Sequence, residues 1–434
     1  MSQEFQNVVC TVCGCVCDDL SLRLEDGVLV PGKNLCTLSQ PWFEDLAAAL
    51  KSENRPPAAR IHGRPTSREA ALFAAAEILK ASRAPLVYGL ARSSTPGQCA
   101  AVALAEQTGA VIDTTASVCH GPSIMAIQRV GESTCTLGEI RERADLVLFW
   151  GADPATTHPR HLERYSAEPK SETLPNGRSD RTLVVIDTDE TETARTADRF
   201  LRVEPNRDFE LISTLRLLVA GQSVPAAVNC GVSLSEVEEL ASLLTRCRYG
   251  VVFFGLGIAQ QSLGHLVVEA LLQLVAELNA HTRFTARRLR IPGDVSGADS
   301  VLCWQTGYPF AVNLNRGFPR YCPGEFSAAD LLQREEVDAC VLIGSESVAD
   351  FPAEALQTLQ QIPTVVLDYP HAECRFQPTV SLTTAVYGVH AAGTAYRMDE
   401  MPLPQRSLIP SDYPTDEVVL ATLQQLLSSS AGIR

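Results

Sequence analysis

The residues best suited to chemistry stand near the N-terminus, where VVCTVCGCVCDDL packs four cysteines into eight residues and GKNLCTLSQPWF brings a fifth. Cys10, Cys13, Cys17 and Cys36 read as C-x2-C-x3-C-x18-C, with Cys15 as an extra thiol between two of them. Three thiols on one tight loop and a distant fourth can wrap an iron–sulfur cubane, whose sulfur ligands must approach from several backbone directions. Zinc sites more often come as two separated C-x2-C pairs, so iron–sulfur is preferred, with zinc and plain structural thiols as the alternatives. The compartment supports a metal reading. MSQEFQNVV lacks the basic and apolar regions of a signal peptide, and the fourteen cysteines are spread over 434 residues rather than concentrated as in a secreted scaffold. A cytoplasmic, reducing home is expected, with no membrane span, since no uninterrupted apolar stretch of about 18 residues occurs.

A second chemical stretch places Cys119 beside His120 ahead of a glycine turn, followed by the histidines of HPRH, His158 and His161. A thiolate next to an imidazole suits a nucleophile or a metal ligand, and equally a half-buried thiol with a hydrogen-bonded histidine. Without a third ligand nearby, His158 and His161 are expected to serve hydrogen bonding or an interface. Asp187 ends an apolar run and is followed by the Thr-rich TDETETA. Hydroxyls and a carboxylate at a strand end suit a ribose or phosphate-bearing cofactor, or simply cap a helix.

The elements that must position these groups alternate. SREAALFAAAEILKASRAPLVYGLA is an Ala- and Leu-rich helical stretch leading into an apolar strand and a glycine turn. The same grammar returns in RERADLVLFWGADP, RTLVVIDTDETETARTAD, CRYGVVFFGLGIAQ, VDACVLIGSES and IPTVVLDYPHAE. Short Val-, Leu- and Phe-rich runs that end in Gly, Asp or Ser are strands buried on both faces of a parallel sheet, with their polar C-terminal ends facing ligands. The lone G-x-G of FFGLGIAQQ is a weak dinucleotide signal, so ordinary NAD binding is not expected. A formal charge of −15 excludes general nucleic-acid binding. The fold class is α/β, in four segments whose domains are free to interleave: a cysteine-rich module at 1–55, a Rossmann-like domain at 56–225, a second at 226–400, and a tail with one amphipathic helix at 401–434. The polar, Pro-rich 51–65 and the softer 220–230 are read as links.

The cysteine module, the WGADP turn and the strand–DTDETETA–helix–VEPNRD run resemble the molybdopterin oxidoreductase superfamily that includes formate dehydrogenases. Within it, VCHGPS, TLGEIRERADLVLFWGADPATTHPRHLERYS, WQTGYPFAVNLNRGFPRYCPGEFSAADLL and HAAGTAYRMDEMPLPQR resemble the B-type subunit of formylmethanofuran dehydrogenase. The resemblance implies a [4Fe–4S] cluster on Cys10, Cys13, Cys17 and Cys36. It implies a tungsten- or molybdenum-bis(pterin guanine dinucleotide) on Cys119 beside His120, with Gly151, Asp153, Asp187 and Asp208 as candidate cofactor contacts. It further implies that the C-terminal β-barrel of the superfamily is missing from this chain and supplied by a separate subunit or domain. A hetero-oligomer with the A-, C- and D-type subunits, handling a methanofuran-type carrier, follows from the same likeness.

The likeness also carries departures. In dehydrogenase members an Arg- and His-containing stretch precedes TGYPFAV, whereas here RLRIPGDVSGADSVLCWQTGYPFAV reads as shortened to PGD. None of Arg287, Arg288 and Arg290 is assigned to the substrate-binding role. No lysine follows Cys36 closely as an electronic bridge. The sequence therefore expects a B-type subunit in one-carbon metabolism, read first as a largely structural subunit of a formyltransferase/hydrolase complex, and alternatively as the redox subunit that interconverts carbon dioxide and formate.

Overall fold

The computed structural model describes residues 3–25, 27–51, 53–224 and 230–431. The links read at 51–65 and 220–230 each include residues outside that set. All the apolar runs singled out above are strands, and they assort into two separate sheets. The sheets belong to two units: Met1–Val118 with Pro292–Arg434, and the inserted Cys119–Ile291. The second unit is thus inserted into the first.

In the inserted unit five parallel strands lie in the order Arg199–Arg202, Thr182–Asp187, Leu146–Trp150, Tyr249–Phe254, Arg283–Arg288. Successive strands step one way from Leu146–Trp150, and the chain then returns to the other side of it. Such a reversal opens a crevice at the C-terminal strand ends. Leu146, Leu148 and Trp150 join Leu211, Leu215, Val268 and Leu271 in one core. Phe149 and Phe253, on the opposite face, stack with ring centroids 5.2 Å apart. The outer strands Arg199–Arg202 and Arg283–Arg288 escaped the sequence reading because arginines interrupt their apolar residues. Arg287 is nevertheless buried, its Nη1 donating to Thr134 Oγ1 at 2.6 Å.

The discontinuous unit carries a nine-stranded sheet with a parallel centre, in the order Val111–Thr114, Pro85–Gly89, Ala339–Ile343, Thr364–Asp368, Val380–Thr383. Alternate residues feed the two faces: Val87, Val341 and Val365 one core, Leu86, Leu342 and Val366 the other. The terminal helix Asp416–Ala431 contributes Val419, Leu420 and Leu423 to the first core, so the tail is integral to this unit. Here too the strand order reverses, between Pro85–Gly89 and Ala339–Ile343. The cysteine segment adds a small antiparallel sheet of Gln3–Val8, Leu20–Glu25 and Val28–Pro31, followed by the helix Ser39–Ala49.

At the reversal of the inserted unit two turns meet backbone to backbone. Gly151 has φ +57°, and a Cβ on Gly257 would lie 2.8 Å from the Gly151 Cα. Gly257 N donates to Gly151 O at 3.1 Å, which closes the contact. The lone G-x-G is therefore a packing device. Gly257→Ala is expected to lower unfolding stability by about 1–3 kcal/mol through overpacking, read as a fall in the urea midpoint. Gly138→Ala, on the helix Leu137–Arg143 where the added methyl meets only ordinary contact, is expected to be neutral or slightly stabilising.

Candidate functional site

Cys119, His120, Gly151, Asp153, His158 and Gly255 line a cavity of ≈150 Å³ at the strand reversal of the inserted unit. Three strand ends supply its walls, through the turns that follow Leu146–Trp150, Tyr249–Phe254 and Arg283–Arg288. Cys119 is buried just ahead of the helix Gly121–Val130, and His120 is the helix N-cap. The volume is below the roughly 300 Å³ at which small-molecule sites usually begin.

The histidines around it are hydrogen-bonded and neutral. His120 Nε2 lies 2.9 Å from Leu289 O, and Nδ1 lies 3.0 Å from Ser123 Oγ. A carbonyl only accepts, so Nε2 carries the proton and Nδ1 accepts from the serine hydroxyl. Burial, then the positive charges of Arg290 and Arg288, push His120 down to about 3. His158 is held the same way, Nε2 lying 3.0 Å from Arg290 O, and burial pushes it down to about 4. His161 is buried between Phe149 and Phe253 with Nδ1 3.0 Å from Ser166 Oγ, and burial keeps it well below the ordinary histidine range.

The acidic candidates divide. Asp153 lines the cavity, but its carboxylate is committed to the neighbouring turn: Oδ1 accepts from Thr193 N at 3.0 Å and Oγ1 at 2.5 Å, and Oδ2 accepts from Thr156 Oγ1 at 2.7 Å. Against the upward pull of burial, these hydroxyls hold it below the usual carboxylate range. Asp187 and Asp208 are not among the cavity-lining residues. Burial raises Asp187, with the Asp208 charge adding to it. Asp208 accepts from Trp150 Nε1 at 2.6 Å and from the Gln261 amide, tying its own helix, Asp208–Val219, to a strand and to the turn before Gly264–Leu278.

In the discontinuous unit, the cysteine loop folds between the strands Gln3–Val8 and Leu20–Glu25, closed by Cys10 N donating to Cys17 O at 2.8 Å. Val16 holds φ +37°, an expensive conformation for a β-branched residue. Cys10, Cys13 and Cys17 are buried, Cys36 is half-buried, and its N donates to Ser39 Oγ at 2.9 Å. Burial, then the neighbouring Cys17 and Cys13 and finally Cys36, push the Cys10 thiol well up, so all four cysteines lie within electrostatic reach. Among the described residues no group of three or more His, Cys, Asp or Glu could hold a metal ion. A cubane takes one thiolate on each of its irons and so accepts a wider set of sulfurs than a single ion does, and four thiols within reach of one another are donors of the type it uses. Cys15, the extra thiol, is buried and hydrogen-bonds to Cys13, holding the Cys13 thiol down.

The PGD run has packing duties in this unit. A Cβ on Gly293 would collide with the Thr11 carbonyl, so only glycine lets the run lie against the cysteine loop. Asp294 caps the helix Val295–Thr306 through Gly297 N at 3.1 Å and accepts from Gln98 Nε2 at 3.1 Å. The RMD run also supports the loop, since Met398 N donates to Gly14 O at 2.9 Å while Arg397 makes a bidentate pair with Asp399 at 2.6 and 2.7 Å. Sequence reasoning missed Ser123, the Leu289 carbonyl and Gly255, and it passed over Arg92, whose Nη1 donates to Thr11 O. Of these only Gly255 had a signal, as half of the G-x-G.

Two outcomes follow. A buried neutral histidine takes up its proton near pH 6.5 when unfolded but only near its depressed value when folded, so its stability contribution is full above about pH 6.5 and is lost as pH falls. Urea midpoints should therefore fall from about pH 7 to about pH 5, and His158→Gln, which keeps a donor for Arg290 O, should flatten that fall by up to about 2 kcal/mol. Gly293→Ala should displace the Thr11 segment and reduce iron retained after anaerobic purification, whereas Gly317→Ala, where a Cβ meets nothing, should leave iron content unchanged.

No family model matches the chain. The B-type subunit of the tungsten-containing formylmethanofuran dehydrogenase 2 of Methanocaldococcus jannaschii is 39% identical over 416 residues, 94% of this chain and 94% of that protein. The B-type subunit of the formyltransferase/hydrolase complex Fhc of Methylorubrum extorquens is 28% identical over 294 residues, 66% of this chain and 75% of that protein. The crystal structure of the M. extorquens formyltransferase/hydrolase complex FhcABCD with methylofuran contains a chain that superposes with a TM-score of 0.72 at 23% identity, over 86% of this chain and 100% of that one. Acetylene hydratase from Pelobacter acetylenicus gives 0.68 at 12% identity, over 99% of this chain and 70% of that one. These likenesses show a shared mixed α/β fold with parallel sheets. With more than a third of its residues identical over nearly the full length of both sequences, the chain belongs to the family of formylmethanofuran dehydrogenase B-type subunits of one-carbon metabolism.

Proposed function

We propose that this chain is the redox subunit of a formylmethanofuran dehydrogenase-type complex, interconverting carbon dioxide and formate at the level of a methanofuran-bound formyl group. The observation that carries this reading is that Cys119 and His120 share one buried cavity at the strand reversal, in a chain that keeps all four cluster-type cysteines. Likeness to a tungsten-containing relative over 94% of the chain, against 66% for the Fhc relative, supports it.

A tungsten or molybdenum pterin, when bound, supplies the two-electron chemistry. On this chain the soft Cys119 thiolate would ligate it, with the Gly151 and Gly255 turns close by, and Cys10, Cys13, Cys17 and Cys36 would hold the [4Fe–4S] cluster. Asp153, Asp187 and Asp208 then act through the turns they lock, as the hydrogen bonds of Asp153 and Asp208 suggest. His120 holds its proton on Nε2 against Leu289 O, and to take up a second on Nδ1 the Ser123 hydroxyl would have to turn from donor to acceptor. Burial, then the positive charges of Arg290 and Arg288, keep His120 neutral, and Arg290 itself is buried and is not among the residues that line the cavity.

The reading as a largely structural subunit of a formyltransferase/hydrolase complex rested on the brevity of the PGD run. The ground for it is that the arginine expected to contact formate is missing from that stretch; Gly293 and Asp294 give what remains of the run a packing role. The chain is expected to work within a hetero-oligomer, as in FhcABCD, with A-, C- and D-type subunits and a barrel-type subunit or domain beside it.

Elemental analysis of the anaerobically purified complex should find about four irons and one tungsten or molybdenum per chain. Absence of both heavy metals would overturn the redox reading and restore the structural one. Cys119→Ala should lose the heavy metal and formate oxidation while keeping iron.

A further inference from the structure

We propose that Arg92 is the fixed positive charge that sets the reduction potential of the cluster held by Cys10, Cys13, Cys17 and Cys36. The inference rests on the cluster reading above and assigns a role to a residue outside the cysteine motif.

Arg92 stands in the turn after Pro85–Gly89, at the strand reversal of the discontinuous unit where open α/β sheets usually admit a ligand. Here a charged network fills the position. The Arg92 side chain is 13% exposed, its Nε pairs with Glu346 of the facing turn, and Glu346 also accepts the Tyr369 hydroxyl. The other edge of the guanidinium is turned to the cysteine loop, where Nη1 donates to the Thr11 carbonyl between Cys10 and Cys13. Burial works against the charge, and the Glu346 carboxylate paired with it keeps the guanidinium charged.

The physical consequence concerns an electron. Reduction of a buried cluster adds one negative charge in a poorly solvated place, and a fixed cation beside the thiolates favours the reduced state. Because Glu346 is bonded through Nε and the loop through Nη1, the pair is a dipole with its positive edge toward the cysteines. Arg92 is a positioning residue in that sense: it acts on the electron through the field at the loop, without touching substrate.

The test is a redox titration of the anaerobically purified complex, following by electron paramagnetic resonance the signal that disappears in Cys13→Ala. Arg92→Gln should reduce the ratio of reduced to oxidised cluster at a fixed potential at least tenfold, which for one electron is about 59 mV. Arg92→Lys, which keeps the charge, should stay close to the wild-type ratio, and Glu346→Gln should move the ratio in the opposite direction to Arg92→Gln. Opposite signs are the signature of a field, since damage to the loop would move both variants alike. If Arg92→Gln fails to retain iron, the Glu346→Gln and Arg92→Lys titrations decide. An unshifted ratio in Arg92→Gln or Glu346→Gln at wild-type iron content would overturn the proposal, as would Arg92→Lys falling as far as Arg92→Gln. A wild-type complex without iron would instead overturn the cluster reading itself.

Discussion

Two parallel sheets each reverse their strand order beside a strand whose last turn has to approach the next turn at backbone distance. In the inserted unit the approach is Gly151 against Gly257; in the other, Gly89, at φ +112°, lies where a Cβ would strike the Ile343 carbonyl. A side chain at either place would pry apart neighbouring strands of the sheet's centre. The chemistry sits on the same constraint, because a reversal is where the C-terminal ends of parallel strands leave room for something other than sheet. In one unit that room is lined by Cys119 and His120, and in the other it is taken by Arg92 and Glu346.

The inserted unit illustrates how a polar site is kept in a buried setting. Its three buried histidines are neutral, two of them donating to the backbone carbonyls of the segment after Arg283–Arg288. Desolvation penalises their charged forms, and the hydrogen bonds fix where the single proton sits. The acidic residues are committed as well, Asp153 to Thr193 and Thr156, and Asp208 to Trp150 and Gln261. These bonds set the shape of the turns before any ligand arrives, which is the preorganisation that electrostatic catalysis requires.

The cysteine loop depends on segments far away in sequence. Gly293 leaves space for Thr11, Met398 N satisfies the Gly14 carbonyl, and Arg92 satisfies the Thr11 carbonyl. A loop carrying a strained Val16 and several thiols within reach of one another would not hold this form alone. Its conformation is a tertiary property.

The sequence by itself determined the α/β class, the buried strands and the pairing of Cys119 with His120, because apolar runs ending in small or polar residues and adjacent reactive side chains are local signals. The cysteine spacing likewise announced a four-thiol set. Tertiary structure decided what has no local signature: the interleaving of the units, the edge strands Arg199–Arg202 and Arg283–Arg288, and the packing role of PGD. It also decided that Asp153 and Asp208 brace turns, and that Arg92 reaches the cysteine loop. Each of these is a contact between residues tens to hundreds of positions apart, and periodicity and spacing report only on neighbours along the chain.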